Sequence, residues 1–329
     1  MSVPLSLLDL AQIRSFETPR DGLTFSVRLA RRAEALGYRR VWYAEHHNMR
    51  TITSSATSVL IAHVAAHTDR IRLGAGGIML PNHSPLVIAE QFGTLAELHP
   101  GRIDLGLGRA PGTDQHTLRA LRRDPRAAER FADDVLELQG YLGETSRIPG
   151  VQAIPGTGTH VPLYILGSSL FGARLAAALG LPYAFASHFA PDALTEAVAA
   201  YRREFRPSEQ LAEPHVIAGL NVIATEDGDA ASAHLHEAKR KRVKLLLGRG
   251  RHLSDDQVDA LLDSPGGQPA HDMLRYTAAG TPGHVREYLA WFADHAQADE
   301  LMVTLAAVDR DVNLRSLELT AEAADLAAA

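Results

Sequence analysis

Short runs of β-branched and aliphatic residues alternate along the chain with longer Ala/Leu/Arg/Glu stretches whose apolar positions recur at helical spacing. The pattern predicts strands at VPLSLLDL (3–10), RRVWYA (39–44), RIRLGAG (70–76), RIDLGLG (102–108), VPLYILG (161–167), PYAFAS (182–187), HVIAGLNVIAT (215–225) and DELMVTL (299–305). Helices fill the gaps. LTFSVRLARRAEALG (23–37) closes at Gly37, in the position of a helix-ending glycine, and Ser54 or Ser55 is placed to cap a helix running to His67. In SPLVIAEQFGTLAELHPG (84–101), Ser84 is the N-cap and Pro85 opens the first turn. Further helices are expected around 125–142, 169–180, 191–205 and 281–295, and a long one follows the seventh strand.

Eight strands with helical crossovers fit either a doubly wound sheet or a (β/α)₈ TIM barrel; eight units over 329 residues favour the barrel, as one domain spanning 1–329. Two stretches interrupt the alternation. Residues 143–160, rich in Gly, Pro and Thr, precede the fifth strand, and read either as a lid or as a surface excursion. Residues 248–280 follow the helix behind the seventh strand and are the stronger lid candidate.

Composition narrows the class. A hydrophobic fraction of 46% supplies a large core, and a net charge of −6 without aromatic–basic interleaving argues against a nucleic-acid surface. The basic run EAKRKRVK (237–244) lies in a helical pattern and reads as a solvated face. There is no cysteine, so disulfides, thiolate metal sites and a cysteine nucleophile are excluded. The start lacks the marks of a secretory signal and no apolar stretch approaches membrane-spanning length, so the expectation is a soluble, cytoplasmic protein without membrane contact.

In a barrel, chemistry gathers at the C-terminal ends of the strands. Asp9, Glu45-His46-His47, Gly76-Gly77, PNHS (81–84), Arg109, APGTD (110–114), Gly167-Ser168-Ser169 and Ser187-His188 all fall there. Adjacent His46 and His47 on extended chain point to opposite sides and rarely share one ion, so proton transfer is preferred to metal binding or a purely structural pair. In Gly167-Ser168-Ser169, a strand passes straight into a helix; its N–H groups and hydroxyls offer an anion site, or simply a serine cap. The GAGG run (74–77) marks backbone that approaches something flat or bulky, or takes a strained conformation. His63 and His67 have i, i+4 spacing but sit on a helix with no third ligand near, and read as surface or packing residues.

Taken together, VWYAEHHNM, IRLGAGGIMLPNHSPLVIAEQFGTLAELHPGRIDLGLGRAPGTD and LYILGSSLFGARLAAALGLPYAFASHF resemble the bacterial luciferase-like flavin-dependent monooxygenases, in motif order and over nearly the whole chain. The resemblance implies a TIM barrel with an insertion after strand seven. It implies that His46 is the catalytic histidine, with His47 supporting it, and that Gly76–Gly77 is a non-proline cis peptide under a flavin ring. Arg109, Gly167, Ser168 and Ser169 are implied to hold the flavin phosphate, Arg130 to be a second phosphate arginine, and His188 to touch flavin or substrate. The implied activity is oxygenation of a small organic substrate by reduced FMN and dioxygen through a C4a-peroxyflavin. A separate flavin reductase supplies the reduced FMN by diffusion, and the chain forms a homodimer. Gly108 stands where bacterial luciferase has a reactive cysteine, which puts light emission in question. A deazaflavin-dependent oxidoreductase and a flavin-binding protein without turnover remain as rivals; a metal-dependent barrel hydrolase lacks a convincing ligand set.

Overall fold

The computed structural model describes residues 3–14, 16–110, 114–248 and 253–327. Nine parallel strands form one sheet: β1 (Leu5–Asp9), β2 (Arg40–Tyr43), β3 (Arg72–Met79), β4 (Ile103–Gly108), β5 (Leu163–Gly167), β6 (Tyr183–Phe185), β7 (Val216–Ala224), β8 (Thr277–Gly280) and β9 (Glu300–Leu305). Eight of them close a barrel in the order β1 to β7 and then β9, which pairs back to β1. The helices are α1 (Pro19–Ala35), α2 (Thr57–Ala65), α3 (Pro85–Leu98), α4 (Gln115–Ala120), α5 (Phe131–Leu142), α6 (Leu170–Leu179), α7 (Leu194–Glu204), α8 (Gly228–Leu247), α9 (Asp255–Leu262), α10 (Gln268–Asp272), α11 (Pro282–His295) and α12 (Arg310–Ala323). The chain is thus a (β/α)₈ TIM barrel, as the alternation predicts.

The main hydrophobic core lies between the outer barrel surface and the helices, and includes Val41, Tyr43, Ile61, Phe92, Val135 and Phe292. Inside the barrel, alternate residues of each strand stack in tiers along the axis. The middle tier is apolar, built from Leu8, Trp42, Ala44, Tyr164, Ala184, Ile217 and Met302. Below it, at the N-terminal ends of the strands, the interior is charged. Arg40 is 1% exposed; its Nη1 donates to Asp104 Oδ2 at 2.7 Å and to the Tyr164 hydroxyl at 2.7 Å. Its Nη2 donates to Glu300 Oε2 at 3.1 Å, and Ser6 Oγ donates to Glu300 Oε1 at 2.5 Å. Trp42 Nε1 and Arg72 also donate to Asp104. Burial works against the Arg40 charge, yet the two carboxylates beside it hold it protonated more firmly than water would.

The structure adds elements and corrects others. Helix α1 begins at Pro19, four residues before the predicted start, because Thr18 and Asp21 form a reciprocal capping box. Neither Ser54 nor Ser55 caps α2: its N-cap is Ala56, and the buried Ser54 hydroxyl donates to Leu10 O instead. Helix α12 and strand β8 were not predicted; β8 is four residues of Thr, Ala and Gly, too short and too small-chained for a periodic signal. The segment 143–160 is no lid. It packs on the middle of α3, where Gly93 and Gly156 approach so closely that a Cβ on Gly93 would lie 2.3 Å from Gly156 Cα.

The insertion 248–280 is a folded unit over its described residues, 253–280. Val243 of α8, Val258 and Leu262 of α9 and Ala270 of α10 share a small core of their own. Strand β8 then pairs with Asn221–Ala224 of β7, beyond the part of β7 that β6 pairs, and Asn221 N donates to Tyr276 O at 2.9 Å.

Removing the guanidinium should uncouple the interior charges. Arg40→Met is expected to cost about 3–5 kcal/mol of unfolding free energy, because it strands buried carboxylates without their shared partner. Urea unfolding followed by circular dichroism measures this, and an unchanged midpoint would show that the network contributes nothing.

Candidate active site

Strand β2 sets the register of the site. Arg40, Trp42 and Ala44 face the barrel interior at successive alternate positions, and the same alternation carried past the strand end brings His46 over the mouth. Glu45 and His47 turn the other way. Glu45, 1% exposed, is a hub: it accepts from His47 Nε2 at 2.7 Å, from His83 Nε2 at 2.9 Å, from Met79 N at 3.0 Å and from Asn82 Nδ2 at 3.2 Å. It therefore ties the loops after β2 and β3 together. Burial pushes the Glu45 carboxyl up, but the hydrogen bonds from His47 and His83 outweigh it and hold the pKa at about 2. The same contact raises His47. The ligand atoms of Glu45, His47 and His83 lie within 4.8 Å of one another, a spacing open to a metal, but the two imidazoles are hydrogen-bonded directly to the carboxylate.

His46 is half-buried, and its Nδ1 is buried without a partner. Burial is the main reason that its pKa falls, so it is a neutral base at neutral pH. His188, at the end of β6, is also neutral: burial, then the charge of Arg242, lowers it to about 3. Its Nδ1 too has no partner. The loop carrying it is clamped to β7, where Ser187 Oγ donates to Gly219 O at 2.6 Å and Asn221 Nδ2 donates to His188 O at 2.7 Å. The imidazole packs against Gly219, where a Cβ would lie 2.6 Å from Nδ1. Gly219 and Asn221 escaped the sequence reading, although an asparagine in the middle of HVIAGLNVIAT was a visible irregularity.

The Gly76–Gly77 peptide is cis, and β3 shifts register against β4 across it. What these glycines approach is the protein itself. A Cβ on Gly76 would lie 2.9 Å from Trp42 Cβ, and one on Gly77 would lie 2.7 Å from Gly106 O. Gly74 likewise leaves room for the Trp42 indole and Asp104. The flat, bulky neighbour of the GAGG run is thus Trp42.

At the ends of β4 and β5, Arg109 and the N-terminus of α6 converge. The Arg109 guanidinium sits 4.2 Å from the centre of the Phe171 ring, in the first turn of α6. Ser169 is the N-cap, yet its hydroxyl makes no capping bond, so the first N–H groups of this helix face outward uncapped. Gly167 has no atom closer than 3.8 Å to a built Cβ. Arg130 is exposed and lies 3.7 Å from Asp134 in the first turn of α5. In the loop after β4, residues 111–113 lie outside the described residues; Asp114 caps α4 and accepts from Asn48 Nδ2 at 2.9 Å. No helix among the described residues is long and apolar enough to cross a membrane.

Glu45 ionises well below the ordinary carboxylate value of 4.5, so its charge stabilises the fold fully above pH 5 and stops doing so as pH falls through about 2. Glu45→Gln is expected to cost about 3 kcal/mol near neutrality, at roughly 1.4 kcal/mol per pKa unit, with the gap closing between pH 5 and pH 2. Denaturant titrations of both proteins across this range test it; a gap independent of pH would contradict the assignment.

Comparison with known proteins bears on this site. The luciferase-like monooxygenase family matches residues 4–300. A luciferase-like monooxygenase of Escherichia coli (strain K12) is 46% identical over 324 residues, 97% of this chain and 96% of the relative. The crystal structure of apo-MsnO8 superposes with a TM-score of 0.90 at 36% identity, covering 99% of this chain and 100% of that one. The oxygenating constituent of 3,6-diketocamphane monooxygenase from Pseudomonas putida, solved with FMN, shares the fold at a TM-score of 0.73 and 15% identity, covering 98% of this chain and 97% of that one. The chain belongs to the luciferase-like monooxygenase family.

Proposed function

We propose that the protein is a monooxygenase that takes reduced FMN and dioxygen and oxygenates a small organic substrate. The observation that carries this reading is the convergence, at one end of the barrel, of an uncapped helix N-terminus beside Arg109 and a neutral His46 whose buried ring nitrogen has no partner. A phosphate fits the first feature and a heteroaromatic edge fits the second, and FMN carries both. When bound, reduced FMN supplies the electrons that activate dioxygen at its C4a carbon.

The chain's own residues do the rest. Arg109, Ser168, Ser169 and the backbone at Gly167 bind the phosphate, with the α6 N–H groups and the helix dipole behind them. Arg130 joins them by leaving Asp134. The Gly76–Gly77 peptide, seated on Trp42, supports the ring. His46 holds or releases the proton that oxygen transfer requires, and its burial keeps it in the basic form. His188, fixed by Asn221 and Gly219, borders flavin and substrate. Residues 253–280 of the insertion, with α8, cover the mouth and exclude water. The enzyme works as a homodimer, and a separate reductase delivers the reduced flavin.

The test is to load the protein with reduced FMN under anaerobic conditions, mix it with oxygenated buffer and follow the flavin spectrum. The expected result is a spectral phase between reduced and oxidised flavin that outlives the same phase in free FMN. His46→Ala should change turnover by roughly 100-fold while altering FMN affinity little; equal loss of both would remove the catalytic role. Reoxidation indistinguishable from free flavin would move the assignment to a deazaflavin enzyme or a flavin-binding protein without turnover. Arg109→Ala should weaken FMN by roughly 10–100-fold and leave riboflavin, which lacks the phosphate, unaffected.

A further inference from the structure

The basic run on α8 does not behave as one solvated face. Arg240 bonds to Asp259, and Lys244 Nζ donates to Asp255 Oδ1 at 3.0 Å, so these two cations tie α8 to α9. Lys241 turns the other way: its Nζ donates at 2.7 Å to Gln12 Oε1, in the segment that follows β1. That bond places this part of α8 at the mouth of the barrel. Arg242 is the next residue. It is half-buried, its Nε is buried without an acceptor, and no carboxylate among the described residues lies within ion-pair distance of it. Its surroundings are basic or neutral: Lys241 beside it, and His188, which feels its charge.

A partly buried guanidinium without a counter-ion is costly; Arg40, Arg72, Arg240 and Arg310 meet the cost with carboxylate partners, and Arg102 and Arg123, which have no carboxylate at ion-pair distance among the described residues, give donors to backbone carbonyls instead. Arg242 has neither at its buried Nε and stands over the mouth on the β7 side, whereas the uncapped helix N-terminus and Arg109 lie on the β4–β5 side. These are two separate anion-seeking positions.

We propose that Arg242 is an anion subsite for the substrate, and that the substrate is a small organic acid whose carboxylate pairs with this guanidinium while its apolar part lies toward His46 and His188. The proposal rests on the monooxygenase reading for what then happens to the substrate, but not for the binding itself. A planar, bidentate guanidinium selects a carboxylate over a neutral polar group of the same shape. In the reaction, the subsite fixes one end of the molecule so that the other end meets the oxygen being transferred.

The test is calorimetric titration of hexanoate and octanoate against their primary amides, on both the flavin-free and the FMN-loaded protein. The wild type is expected to bind the acids at least roughly tenfold more tightly than the amides, and Arg242→Gln to erase that preference. Equal binding of acid and amide, or a preference that survives Arg242→Gln, would overturn the proposal. FMN and riboflavin titrations of both proteins separate the two anion positions. If Arg242→Gln weakens FMN but not riboflavin, Arg242 serves the cofactor phosphate and the proposal fails. Thermal unfolding guards against a structural role: Arg242→Gln should leave the melting temperature unchanged or raised, and a clear drop would make the guanidinium a structural group. Should the protein fail to bind flavin at all, the monooxygenase reading falls and the flavin-free titration decides the subsite alone.

Discussion

The barrel depends on a charge it buries. Arg40 sits on the axis at the bottom of the barrel and joins β2, β4, β5 and β9 through Asp104, Tyr164 and Glu300. A buried guanidinium admits little freedom: its donors lie in one plane, and each acceptor must come from a particular strand at a particular height. That requirement fixes how the strands stagger. It also propagates upward. Trp42, two residues on, donates to the same Asp104 and fills the middle tier, and the indole leaves no room for side chains on Gly74 and Gly76. The glycine path of β3 at the mouth is therefore partly a consequence of what lies two tiers below it.

The same register separates two jobs within four residues. Ala44 and His46 face the axis, whereas Glu45 and His47 face the loop after β3. Glu45 carries a full charge and spends it on holding loops, with donors from His47, His83, Asn82 and Met79. His46 makes none of these bonds. An imidazole left free in a hydrogen-bonded frame is suited to chemistry, and the frame is the work of its neighbours on either side.

The barrel was legible in the sequence because its signal repeats: eight apolar strand runs, each followed by helical spacing. The positions of the polar residues at strand ends followed from the same alternation. What escaped was whatever depends on contacts between distant strands. Arg40 looked like one of two arginines opening a strand, and only the closed barrel brings it to Asp104 and Glu300. His83 was visible within PNHS, but its tie to Glu45 is a matter of tertiary geometry. The basic run on α8 read as one face because helical spacing does not say where a helix lies; Lys241 and Arg242 turn inward because α8 reaches the loop after β1. Strand β8 escaped for a different reason: Thr277–Gly280 has no apolar periodicity, and its pairing comes from an edge of β7 that β6 leaves open.

That edge has a mechanical consequence. Asn221 gives its backbone N–H to Tyr276, within the insertion, and its side-chain amide to His188, within the site. One residue thus joins the insertion to the loop that carries His188. If the β7–β8 pairing loosens to let a molecule in, the strand that steadies His188 loses its support at the same residue; when the pairing re-forms, the imidazole returns to its seat on Gly219. Any opening of that edge would therefore be felt at His188, because the insertion and the imidazole's loop share Asn221 as a support.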